Sequence, residues 1–331
     1  MPAPYRARGA AALEENQKCV GCHPAEAQAW QGSFHQRAFT NAAFQTAFKF
    51  EPTPFCGGCH APEATNAVKP AKAEADAGVT CVTCHVAGEH VLAAPNGRPD
   101  GVERGEAHTV ERSAAFGHTG GCASCHEFRF PEARSGGPES FMQTTVQEHA
   151  RSPASDRSCA SCHMPMKDGR RSHAFDVRDP AWLRDHFTAT AERTDDGRVE
   201  ITIGQKLGGH ALPTGDLFRR LQVGAEIRST AREPARREAA YLARHFQLIP
   251  GVKGRELARD DRVFFEPRVV SLDPAKGASS TGPITWWVTL ERVAQALEGV
   301  DPERAVVESR QELFRGTLPP ASAAAQVRPA Q

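Results

Sequence analysis

The ten cysteines of this chain fall into five copies of one spacing, and the second cysteine of each copy is followed directly by histidine. The copies are Cys19-Val-Gly-Cys22-His23, Cys56-Gly-Gly-Cys59-His60, Cys81-Val-Thr-Cys84-His85, Cys122-Ala-Ser-Cys125-His126 and Cys159-Ala-Ser-Cys162-His163. No cysteine is left over. Two intervening residues let both sulfurs reach the vinyl-derived carbons along one edge of a porphyrin as thioethers. The next residue then lies under the ring, where an imidazole nitrogen can bind iron. Zinc pairs do not require the histidine, and four-cysteine zinc sites would leave one pair unmatched. Disulfides between pairs do not account for the histidines either. With 14 histidines in 331 residues, five chance placements have a probability on the order of one in ten million. The pattern therefore predicts five covalent haems c, with His23, His60, His85, His126 and His163 as proximal iron ligands.

The other face of each iron sets what such a centre does: it takes histidine, takes methionine or stays open. Nine histidines remain for five sites: His35, His90, His108, His118, His149, His173, His186, His210 and His245. The supply suffices for bis-histidine ligation throughout. Met164 and Met166 follow a proximal histidine on the wrong side to ligate that same iron, and Met142 reads as helix core. His186, at a composition boundary, and His245, beside an apolar strand, read as ordinary structural histidines. Without a methionine ligand, low reduction potentials are expected.

The elements that must position these groups divide in two. Every cysteine and twelve of the fourteen histidines precede residue 187. The expected organisation is a five-haem domain over 1–186, mostly α-helical and irregular with little regular structure, and a β-sandwich-like antiparallel domain over 187–331. Within the first, residues 24–38 place Ala27, Trp30, Phe34 and Ala38 on one helical face, and residues 139–150 do the same for Met142, Val146 and His149. Beyond residue 187 the period becomes two. Val199, Ile201 and Ile203 alternate with polar residues, as do Leu221, Val223, Ala225 and Ile227, and Ile284, Trp286, Val288 and Leu290. Residues 245–249 and 262–270 are further strand candidates, and 301–315 fit either a capped helix or a last strand. The Pro/Ala-rich end from about 317 is expected to be disordered.

Composition excludes several function classes. The 40 basic and 40 acidic residues balance, so no polybasic surface for nucleic acid is announced. No run of about 18 apolar residues occurs, so no transmembrane helix is expected. The start lacks the apolar stretch of a secretory signal. Covalent haem attachment belongs outside the cytoplasm, so the expectation is a periplasmic or extracellular protein whose leader is not in this sequence. Hydrolase, kinase and dinucleotide-binding signatures are absent. Gly208-Gly209 is too short for a phosphate loop and reads as room for close backbone approach beside His210.

Several segments resemble a known group. They are Trp30-Gln-Gly-Ser33-Phe-His35, Gly78-Val-Thr-Cys-Val-Thr-Cys-His85 with His90 beyond it, Cys122-Ala-Ser-Cys-His-Glu-Phe128 and Met142-Gln-Thr-Thr145. They continue with Ser161-Cys-His-Met-Pro165, Ser172-His173-Ala-Phe175 and Gly209-His210-Ala-Leu-Pro-Thr-Gly215-Asp-Leu-Phe-Arg. In this order they are similar to multihaem cytochromes c related to the tetrahaem cytochrome of ammonia oxidisers, and more closely to members with an appended β-domain. The resemblance implies distal-ligand roles for His35, His90, His173 and His210. His108 matches the group less closely and is taken as the fifth, with His118 and His149 as competing choices.

Electron transfer through closely packed low-spin haems is the function expected. The implied partners are redox proteins: other cytochromes, a quinol-oxidising complex or an outer-surface conduit. No nucleic-acid partner is expected, and a homo-oligomer or filament fits the same reading. The competing reading is a multihaem reductase or oxidase acting on nitrite, hydroxylamine or a sulfur oxyanion. Such an enzyme needs an open iron. The lysine-for-histidine motif that often marks one is absent, and Tyr5 and Tyr241, the only tyrosines, neighbour no motif.

Overall fold

The structure is a computed structural model that describes residues 5–95, 97–131, 137–175, 180–228, 235–251, 254–275, 282–294 and 299–320. The chain divides into two compact units, one of Met1–Pro131 with Ser155–Val177, the other of Glu132–Ala154 with Arg178–Gln331. The expected boundary near residue 187 thus lies close to the start of the second unit's longer segment, and Glu132–Ala154 joins that unit as well.

The first unit is built of short helices. Its apolar groups are small and lie beside the motifs. Phe39, Phe44 and Phe48 pack with Ala61 and Ala64 against the second motif. Ala12, Val82 and Val86 pack beside Cys19. The helix expected over 24–38 is shorter, Pro24–Trp30. Gln31 is already extended and Gly32 adopts a φ of 77°, a left-handed conformation that glycine takes without strain, so the chain turns before His35. The segment that follows is tied to the approach to the third motif. Trp30 Nε1 donates to the Val79 carbonyl at 2.8 Å, and Val79 N–H donates to the His35 carbonyl at 2.9 Å. A Cβ on Gly78 would lie 2.3 Å from the Gln36 carbonyl oxygen, so only glycine fits this approach. One small sheet joins His90–Ala93 to Val86–Ala87 antiparallel and to Thr109–Arg112 in parallel, with Gly101–Arg104 outermost.

The second unit is β-rich. Phe187–Arg193, Val199–Gln205 and Arg268–Leu272 form an antiparallel three-stranded sheet with Val199–Gln205 at its centre. Arg236–Leu242, Arg219–Ile227, Ile284–Val293 and Val307–Leu318 form an antiparallel four-stranded sheet in that order. The alternating residues seen in the sequence face inward. Val199, Ile201, Ile203, Val270 and Leu272 of the first sheet share one apolar core with Leu221, Val223, Ala225, Ile284, Trp286 and Val288 of the second. Burying this many branched and aromatic side chains at ~25 cal/mol per Å² is the main force holding the unit.

Three expectations need correction. Residues 139–150 do not form one helix: Phe141–Thr144 is a strand, and the helix is Thr145–Ala150. Met142 therefore does not share a helical face with Val146 and His149. The candidate 262–270 is a strand only from Arg268; Val263 instead makes an isolated antiparallel bridge to Leu212. Residues 301–315 resolve into a 3₁₀ turn, Pro302–Arg304, and a strand that runs to Leu318, past the point where disorder was expected. The tail from 321 lies outside the described residues. Among the described residues, no helix is long and apolar enough to cross a membrane.

Candidate haem sites

Each Cys-x-x-Cys-His motif is shaped by a helix. The first ends the helix Ala10–Cys22, with His23 just beyond it. The others occupy Pro54–His60, Cys81–His85, Gly121–His126 and Cys159–His163. Residues three and four apart share a helical face, so the two sulfurs and the imidazole are gathered together. Three of these helices start on a hydroxyl cap. Thr53, Thr80 and Ser158 accept from the backbone N–H groups of Phe55 (3.3 Å), Thr83 (3.3 Å) and Ser161 (3.1 Å). The third motif is also braced by the N-terminal segment. Arg8 makes a two-point ion pair with buried Glu63 at 2.8 and 2.9 Å, Glu63 accepts from Thr83 Oγ1 at 3.0 Å, and Arg6 donates to the carbonyls of Thr83 and Val86.

Cysteine sulfurs of different motifs approach one another. Cys59 and Cys125 are within hydrogen-bonding reach, as are Cys122 and Cys159. The hydrogen bond that Cys59 donates to Cys125, followed by burial, pushes the Cys59 thiol up. Burial pushes Cys84 up to about 12, with Cys125 and Cys81 adding to it, and pushes Cys81 up to about 11, with Cys19 adding to it. The attachment edges of motifs one and three, three and four, two and four, and four and five are therefore neighbours.

The histidines supply a direct test of whether an iron porphyrin fits. Two metal–imidazole bonds of about 2.0–2.1 Å, with about 1.1 Å from each nitrogen to its ring centre, require ring centroids about 6.3 Å apart. His23 and His108 are 6.4 Å apart, His35 and His126 are 6.1 Å apart, and His85 and His173 are 6.2 Å apart. Each pair combines the histidine of one motif with a histidine singled out as a distal candidate. Their spacing is what an iron between them needs.

Ring orientation follows a second rule. A ligating histidine generally donates its other N–H to a carbonyl or carboxylate, which fixes the tautomer and leaves Nε2 as the metal-binding atom. Nδ1 of His60 donates to the Ala38 carbonyl at 2.7 Å, and Nδ1 of His85 to the Leu92 carbonyl at 2.8 Å. The same anchoring occurs at His90 to Glu111 (3.0 Å), His149 to the Gly209 carbonyl (2.9 Å), His173 to the Arg171 carbonyl (3.0 Å) and His210 to the Ala211 carbonyl (3.1 Å). Burial holds His85 and His210 below the ordinary imidazole range, which favours the neutral, ligating form. His118 lies in the π-helical turn Phe116–Gly120, and His163 closes its own motif helix. His186 stacks on Trp182 at 3.7 Å. His245 spends both ring nitrogens on polar partners, Nε2 on Asp261 at 2.9 Å and Nδ1 on Arg259 at 3.1 Å.

Residues 18–86 match the family described as cytochrome c554 and c-prime. Over that stretch the chain is similar to this cytochrome c family. The crystal structure of a penta-haem cytochrome c552 from Thermochromatium tepidum is similar to this chain in fold, with a TM-score of 0.64 and 18% identity over 92% of this chain and 98% of that one. No curated protein sequence matches it. The family match at residues 18–86, which spans the first three Cys-x-x-Cys-His motifs, supports covalent haem c at that pattern. Sequence reasoning did not find Glu111, the carboxylate behind His90, or Phe175, whose ring stands edge-on to His35 at 4.1 Å and 6.2 Å from His173. Neither carries a spacing signal, because both act across separate segments.

Proposed function

We propose that this protein is a five-haem electron carrier in which the irons are mainly bis-histidine and of low potential. The observation that carries the reading is the set of three imidazole pairs at 6.1–6.4 Å, each joining a motif histidine to one from a distant segment. Bound haem c supplies reversible one-electron chemistry. The chain's own residues do the rest. Ten thiols hold the groups covalently, and His23, His60, His85, His126 and His163 take the proximal positions. His108, His35 and His173 take the distal positions opposite His23, His126 and His85. His90 and His210 complete the distal set, with His149 and His118 as competing choices. Carbonyls behind Nδ1 orient the rings and make them more basic, which favours the oxidised state and lowers the potential. A second imidazole also keeps water and small anions off the metal.

Neighbouring attachment edges support a continuous path between motifs, and redox proteins are its fitting partners. Covalent haem attachment supports a location outside the cytoplasm. The two antiparallel sheets sharing one core support a sandwich-like C-terminal domain that carries no haem attachment of its own. The deciding experiment is the carbon monoxide difference spectrum of the dithionite-reduced protein, with haem counted on the same sample. Five haems and no spectral change are expected. A high-spin signal that shifts on adding the gas would overturn exclusive electron transfer and favour reduction of a small nitrogen or sulfur substrate.

A further inference from the structure

The three imidazole pairs differ in the angle between their rings. His23 and His108 are inclined at 41°, as are His85 and His173, whereas His35 and His126 stand at 83°. One aromatic side chain marks the exception. The ring of Phe175 is perpendicular to His35, at 88°, with centroids 4.1 Å apart, closer than the roughly 4.5–7 Å usual for aromatic pairs. It also stands perpendicular to His173, at 6.2 Å. His85 has an aromatic neighbour too, but Phe116 lies farther off, at 5.4 Å, and is inclined at 61°. All of these residues belong to the first unit. Phe175 keeps its place with a φ of 56°, a left-handed conformation that bulky residues rarely adopt and that persists only where the surroundings impose it. It lies two residues past His173, so this turn sets one ring against both distal candidates.

Binding iron through Nε2 fixes where an imidazole sits but not its rotation about the metal–nitrogen bond, and the matching side-chain torsion of histidine is broad. Something else must set the ring plane. The backbone of His35 is already fixed, since its carbonyl accepts from the Val79 N–H at 2.9 Å and Gly78 approaches that carbonyl too closely for any Cβ. What remains is ring rotation, and a perpendicular ring at 4.1 Å blocks it. The angle has an electronic consequence. Each axial imidazole donates π density into one of two iron d orbitals that the porphyrin leaves equal in energy. Rings in one plane load a single orbital and split the pair, whereas perpendicular rings load one each and leave the pair nearly equal. A small splitting gives a low-spin ferric signal of large anisotropy. We propose that Phe175 is a positioning residue for the haem between His35 and His126: it locks the His35 ring across the plane of His126 and makes this haem electronically distinct from those of the two inclined pairs. This deepens the five-haem reading and rests on it.

The test is electron paramagnetic resonance of the oxidised holo-protein with its haem count verified. One signal of the unaltered protein should be strongly anisotropic, and His35→Ala should convert that signal to high-spin. If His35→Ala leaves every haem low-spin, the ligand reading at this place fails and the proposal goes with it. If it turns a rhombic signal high-spin instead, the ligand reading stands and the proposal alone is overturned. Phe175→Leu keeps an apolar side chain and removes the flat ring. The strongly anisotropic signal should be lost in favour of a rhombic low-spin one, while the signal that His173→Ala removes keeps its g-values. Phe175→Tyr keeps the ring and should keep the anisotropic signal. A purely structural role would lower the melting temperature of Phe175→Leu and leave every g-value in place, which overturns the proposal. Phe175→Gly removes the ring and takes the left-handed turn without strain, so it decides the matter if Phe175→Leu does not fold. Loss of the anisotropic signal is expected there, and an unchanged signal overturns the proposal.

Discussion

His173 brings its ring centroid to 6.2 Å from that of His85, although the whole of the fourth and fifth motifs lies between them in the sequence. Both rings are oriented by a backbone carbonyl behind Nδ1, Leu92 for one and Arg171 for the other. His173→Ala should therefore leave one iron with an empty face. One haem in about five should turn high-spin and bind carbon monoxide, with the other signals unchanged. His173→Met should instead keep that haem low-spin and raise its potential, as a thioether ligand does. A redox titration followed in the visible bands reads both outcomes.

The pairing of His23 with His108 at 6.4 Å gives a separate prediction, because His118 competes for the same role in the sequence. His108→Ala should convert one low-spin signal to high-spin. His118→Ala should leave that particular signal intact. Low-temperature electron paramagnetic resonance on the two variants separates the choices, and a conserved spectrum in His108→Ala would remove His108 from the ligand set.

Much of this was legible because two periodicities are local. A helix turn gathers Cys, Cys and His from five consecutive residues, and a strand alternates its faces every residue. Val199–Gln205, Arg219–Ile227 and Ile284–Val293 are therefore strands as read, and each of the five motifs lies on or at the end of a helix. What failed to show was set by distant contacts. Residues 24–38 carry a helical pattern, yet the chain turns at Gly32 because His35 and Gln36 must meet the backbone at 78–79. Residues 139–150 likewise split into strand and helix, with the bonds of Glu148 to Ala211 and Thr214 holding the helical part. The imidazole pairings could not be read at all, since each partner lies on a separate segment and only the folded chain measures their separation.

The motif glycines are unequal, and this can be measured. A Cβ at Gly57 would lie 1.8 Å from the Ala67 carbonyl oxygen, with backbone rather than a flexible side chain as the obstacle. A Cβ at Gly21 would meet nothing within 4 Å. Gly57→Ala should cost about 1–3 kcal/mol or more through overpacking and lower haem occupancy at the second motif. Gly21→Ala, inside the helix Ala10–Cys22, should be neutral or stabilising by about 0.5 kcal/mol or more. Haem counting by mass spectrometry and thermal unfolding of the two variants should diverge accordingly.

Acid should act on the second unit through Asp216. Burial alone would raise its carboxyl, but Arg219 and Arg292 outweigh burial and hold it at about 2. Arg292 Nη1 donates to its two oxygens at 3.0 and 3.2 Å, and the Phe218 N–H donates at 3.1 Å. An unfolded aspartate titrates near 3.9. The folded value is depressed, so the stabilisation is fully present above about pH 4 and is lost as the pH falls toward about 2. The shift corresponds to about 2 kcal/mol after allowing for partial solvent access. Asp216→Asn should thus lower stability at pH 7 by about that amount and lose less of what remains between pH 4 and pH 2. Urea midpoints followed by circular dichroism at pH 7, 4 and about 2.5 test this. Parallel pH dependences in the parent and the variant would show that Asp216 is not the group whose protonation weakens the unit.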